Sequence, residues 1–158
     1  MRIDLTKKGS RLYTMGHEAK SIAEFDLEKY IEDSDDVNIL VTASYCKETG
    51  IGKYKCLLLY KQYKKLIEGS YDNMISPNHV TVLGLIDAVK HINLHDVNVR
   101  IISGIYVGFK SAVKNKGLYA KEVNELVDIV EDQGNTISSV AVTDGMDMIK
   151  KIIKVNCR

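Results

Sequence analysis

The spacing of apolar residues changes period several times along the chain, and each change predicts an element. Ile39 to Ser44, Tyr54 to Tyr60 and Lys65 to Tyr71 are short, apolar-rich runs joined by turn-forming residues, which predicts an antiparallel meander of three strands. After Pro77, the only proline, Asn78 to Ile92 is apolar on most sides, as a buried helix would be. Within it Thr81, Gly84, Leu85 and Ala88 make a narrow stripe of mostly small residues. Gly84 costs about 1 kcal/mol of helix propensity, so close packing against a sheet is its natural reason. Val97 to Ser103 reads as a fourth strand, and Tyr106 to Lys116 as a short helix ended by Gly117. Lys121 to Asp132 is a helix with Val123, Leu126, Val127 and Val130 on one face and Glu122, Glu125, Asp128 and Asp132 on the other. Thr136 to Thr143 is a fifth strand. Asp144 starts a last helix, with Ile149, Ile152 and Ile153 inward and Lys150, Lys151 and Lys154 outward.

Ahead of these elements, Arg2 to Thr6 and Arg11 to Met15 alternate around Lys-Lys-Gly-Ser as a hairpin does, and Ser21-Ile-Ala-Glu24 has capping-box spacing for a helix to about Ile31. From Asn38 the order is β-β-β-α-β-α-α-β-α. Three antiparallel strands followed by strand–helix alternation predict an α/β fold: a five-stranded mixed sheet flanked by helices over residues 38–158, with a hairpin and helix extension over 1–37.

Composition narrows the class. A chain of 158 residues, 45% hydrophobic and 27% charged, is a globular domain with a real core. Residues 1–37 hold six Lys/Arg against nine Asp/Glu and the remainder sixteen against twelve, so −3 is followed by +4, too mild a division to demand a nucleic-acid partner. Three cysteines without a CxxC pair argue against a disulfide framework or a structural zinc site. No signal-peptide pattern and no apolar run of about 18 residues occurs, which predicts a cytoplasmic chain with no membrane partner.

The stretch Val41-Thr-Ala-Ser-Tyr45 leading to Gly50-Ile-Gly-Lys-Tyr54, the helix start Asn78-His-Val-Thr-Val82 and the strand end Ile101-Ile-Ser-Gly-Ile-Tyr-Val107 carry a likeness. In this order they resemble the type 1 ribonuclease H domain from about Val37 to Lys154. The resemblance implies four metal-binding acids. In this chain Ala43 stands at the first position, Thr81 at the second and Ser103 at the third, Gly104 being the third's alternative by a one-residue gap. Asp144 or Asp147 is the counterpart of the fourth. Shifting the frame in the first or fourth strand brings in no Asp or Glu. Two Mg²⁺ or Mn²⁺ ions about 4 Å apart need several converging carboxylates, so one surviving acid implies no metal cofactor and no two-metal cleavage.

The resemblance then implies a catalytically inactive domain that still grips nucleic acid, an RNA/DNA hybrid or a duplex. Lys47, Lys53, Lys55, Lys61, Lys64 and Lys65 would neutralise phosphates, and the tyrosines interleaved with them, Tyr45, Tyr54, Tyr60 and Tyr63, would stack or donate. Lysines on an exposed strand also block edge pairing, and tyrosine forms strands well. Asn78 would touch a sugar or phosphate as its counterpart in the family does, or simply cap its helix. Two other classes stay open: a protein-interaction or assembly module, with the acidic N-terminal helix as its handle, and a nuclease with a displaced site drawing on Glu48, Asp87 and Asp144 or Asp147. His91 and His95, with Asp96, are spaced for a metal but equally suit a helix C-terminus.

Overall fold

The computed structural model describes residues 17–20, 31, 35–105, 118–142 and 145–156. Both strands of the expected N-terminal hairpin and the Tyr106–Lys116 helix lie outside these residues. So does the Ser21–Ile31 helix except for Ile31, which is helical and packs against the core.

The described strands are β1 (His17–Lys20), β2 (Val37–Cys46), β3 (Ile51–Tyr60), β4 (Tyr63–Tyr71), β5 (Asn98–Ser103) and β6 (Thr136–Val142). The helices are α1 (Pro77–Val89), α2 (Ala120–Asp132) and α3 (Met146–Asn156). One sheet holds the strands in the order β1-β6-β5-β2-β3-β4. The pairs β2–β3 and β3–β4 are antiparallel, whereas β2–β5, β5–β6 and β1–β6 are parallel. The five strands expected from the sequence are therefore present as a mixed sheet, and His17–Lys20 adds a sixth at the edge. Its four residues, His-Glu-Ala-Lys, have neither a β-branched side chain nor an apolar alternation, so nothing local announces it.

Alternation along the strands divides the core in two. Val37, Ile39, Val41, Tyr54, Cys56, Ile101 and Ile137 pack with α1 and α2 on one face. Leu40, Leu57, Ile102 and Val140 pack with Ile149, Ile152 and Ile153 of α3 on the other. β2 is central, and its first five residues are all buried because both faces are covered.

The small residues of α1 have a specific use. A Cβ at Gly84 would lie 2.6 Å from Cγ of Tyr54, and one at Gly69 of β4 would lie 2.9 Å from the Tyr54 hydroxyl. A Cβ at Gly52 of β3 would lie 2.1 Å from Val80. Glycine at Gly84 and Gly69 lets the helix and β4 close around one tyrosine ring, and Gly52 lets β3 close on Val80 of the helix. α1 ends at Val89, earlier than the expected Ile92, because His91 and Ile92 turn back in short bonds to Ala88 and Val89. Its cap is Ser76, whose side chain accepts from the His79 N–H at 3.2 Å, and Pro77 takes the first turn, where no N–H is needed. Asn78 is therefore not the cap.

Gly84→Ala tests this packing. The added methyl meets ring and Cβ atoms of Tyr54 that cannot swing away. A net loss on the order of 1–2 kcal/mol is expected in a denaturant melt, despite the propensity gain of about 1 kcal/mol that alanine brings to a helix.

Candidate functional site

The expected ligand positions meet at one end of the sheet. β2 and β5 run parallel with Val41 opposite Ser103, so Ala43 lies one step beyond Ser103 on the same face. α1 packs over β2 on that face, with Thr81 among its buried residues. Ala43 is half-buried against the main core, and Thr81 and Ser103 are each 2% exposed. Both hydroxyls are committed to backbone: Thr81 donates to the Pro77 carbonyl at 2.9 Å and Ser103 to the Ile105 carbonyl at 2.5 Å. Gly104 presses against Met146, where a Cβ would lie 3.0 Å from the Met146 Cβ, so the start of α3 abuts the end of β5. Asp147, in the first turn of α3, is exposed there, and Asp144 lies outside the described residues. A methyl group and two bonded hydroxyls do not fit a pair of hard dications. Among the described residues, no group of three or more His, Cys, Asp or Glu is placed to hold a metal.

The histidine alternative separates in space. His91 Nδ1 takes a bond from Lys65 Nζ at 3.1 Å, while His95 Nδ1 is 2.8 Å from the Gln133 carbonyl oxygen. The helix ends before His91, so the two rings never share a helical face. Asp87 also has an occupation. Its Oδ2 accepts from the Tyr54 hydroxyl at 2.7 Å and from the Tyr71 hydroxyl as well, and the two rings stack with centroids 6.0 Å apart. Burial first, then the bond to Asp87, pushes both phenols above their ordinary value.

The lysines and the tyrosines between them part company. Alternate residues of a strand face opposite sides, so Lys53 and Lys55 point to the α3 face while Tyr54 points into the α1 core, 5% exposed. Tyr45 and Tyr60 are likewise half-buried against that core, and of the four only Tyr63 is open, 74% exposed. Tyr54 is thus a core residue and offers no base a surface, contrary to the role expected of it. Lys47 is exposed in the β2–β3 turn, and Asn78 is half-buried in the first turn of α1.

On the α3 face, Lys53 and Lys55 line a groove of about 750 Å³ together with Lys150 and Lys154 of α3. Thr42, Ser44 and Ser70 add hydroxyls to it, and Glu68, opposite Lys55 in the strand register, is its acid. Four lysines and one glutamate leave +3 in one hollow. Sequence reasoning placed Lys150 and Lys154 outward on their helix without joining them to β3. Their spacing of four residues was the available signal, since it puts both on one helical face.

No protein-family model matches the chain, and no curated protein does.

Two outcomes test this half-buried acid. Asp87→Ala strands two phenol donors, and a loss of about 2 kcal/mol or more in a urea melt is expected. In the second, the folded phenols hold their protons to higher pH than unfolded ones, so unfolding releases protons above the ordinary tyrosine value of 10.0. Their contribution is complete below that pH and is lost as pH rises through the folded values. Melts above that pH should show stability falling, and a Tyr54→Phe, Tyr71→Phe variant should show a shallower fall.

Proposed function

We propose that this chain is a ribonuclease H-like domain that lacks the two-metal chemistry and serves as a nucleic-acid-binding module. Three antiparallel strands followed by two parallel strands reached through helices is the arrangement the resemblance implies, and this supports the reading. Ala43, Thr81 and Ser103 fall on one face at one end of the sheet, where the ligands of such a site would converge, and none is a carboxylate. Cleavage through two cations therefore has no means of holding them.

The observation that carries the binding half is the meeting of lysines from β3 and α3, elements roughly a hundred residues apart in sequence, in one hollow. A polyanion gains from such convergence because each neutralised phosphate releases a counterion. The displaced-site reading loses Asp87, which two tyrosines already occupy. The acidic side of α2, with Glu125 and Asp132 exposed, lies on the opposite face from the lysines, where it does not repel a strand bound to them.

Incubation with a labelled RNA/DNA hybrid in Mg²⁺ or Mn²⁺ should give no cleavage, while hybrid, duplex or single strands should be retained at low salt and released as salt rises. Robust cleavage abolished by Asp147→Asn would sink the inactive-domain reading. Affinity indifferent to salt would point to a protein partner instead.

A further inference from the structure

We infer that the groove between α3 and the outer ends of β2, β3 and β4 is a binding site for the phosphodiester backbone of a single strand, gripped without regard to base sequence. The inference rests on the nucleic-acid reading above and adds the face, the strandedness and the residues. Its lysines stand on the α3 side of the sheet, away from Thr81 and Ser103, and Ala43 and Tyr54 also line the hollow. Strand alternation sends Lys53 and Lys55 to that side, and α3 lies across it with Lys150 and Lys154 one turn apart along the rim.

Lysines on two walls of the groove, from β3 and from α3, suit a single strand. About 750 Å³ is the volume of a small-ligand pocket, which on average runs from about 300 to 1,000 Å³. A single strand can lie in such a hollow and reach lysines on both walls, whereas a duplex can only rest on its rim. Its chemistry decides what is read. Ammonium groups and the hydroxyls of Ser44 and Ser70 suit phosphate oxygens. The ring that might have stacked on a base, Tyr54, is turned into the opposite core and held by Asp87. Base identity then has little to act on, and affinity should be almost wholly electrostatic.

The test is anisotropy with labelled oligothymidylate, oligouridylate and a duplex of mixed sequence, titrated across salt for the full chain and its variants. The wild type should bind both single strands alike and more tightly than the duplex. K150Q/K154Q removes two exposed charges of α3, and its log–log salt slope should be shallower by about 1.4, at about 0.7 per single-strand phosphate contact. K53Q/K55Q on β3 should do the same, which guards against a fault confined to the helix. K90Q/K121Q removes two exposed lysines of the other face and should keep the wild-type slope. If the wild type binds nucleic acid but both groove variants keep its slope, the groove is overturned and the nucleic-acid reading stands. If it prefers duplex and the groove variants weaken that binding, the single-strand assignment is overturned. If it binds no nucleic acid at low salt, the nucleic-acid reading itself falls and takes the groove with it.

Discussion

The close approach of α1 to the meander is the constraint on which the rest of the structure depends. Its backbone can settle there because Gly84 and Gly69 leave room for the Tyr54 ring and Gly52 leaves room for Val80. Once seated, the ring occupies the space between helix and sheet, and its hydroxyl reaches Asp87, which also accepts from Tyr71. A carboxylate at the edge of a core is costly to desolvate, and two donors on one oxygen offset that cost. The same contact orients β3. With Tyr54 turned inward, Lys53 and Lys55 have only the opposite face to occupy, so the character of the α3 groove follows from packing on the far side of the sheet.

Two faces of one sheet thus divide the labour. On the α1 face Thr81 and Ser103 are buried, with their hydroxyls bonded to main-chain carbonyls. The α3 face is open and cationic beyond the last inward isoleucine of the helix. None of the described helices is long and apolar enough to cross a membrane, and Cys46 and Cys56 are both free thiols.

Much of the architecture was legible because it is local. β2 to β6 and the three helices announce themselves by period, and boundaries moved by only a few residues where capping was misread, as at Ser76 and Val89. The candidate site was less legible. Lysine and tyrosine adjacent in the sequence suggest one surface, but a strand sends neighbours to opposite sides, so Lys53 faces the groove and Tyr54 the α1 core. Lys150 and Lys154 were visible as an exposed pair, yet only tertiary packing brings α3 across β3. β1 is the complementary case: its residues form a strand because β6 offers them a partner, a reason no local pattern contains.

That partnership has a consequence for the chain's solubility. β6 is the strand next to the edge, and among the described residues one of its sides is covered by the four residue pairs from His17↔Ser139 to Lys20↔Val142. Short edge segments open more readily than the strands they cover. A chain trimmed before Val37 would present Ser139 to Val142 as bare hydrogen-bonding groups beside a well-packed core, the kind of edge on which one sheet templates the growth of another. The four residues of β1 therefore cover an edge that would otherwise stand open to a second chain.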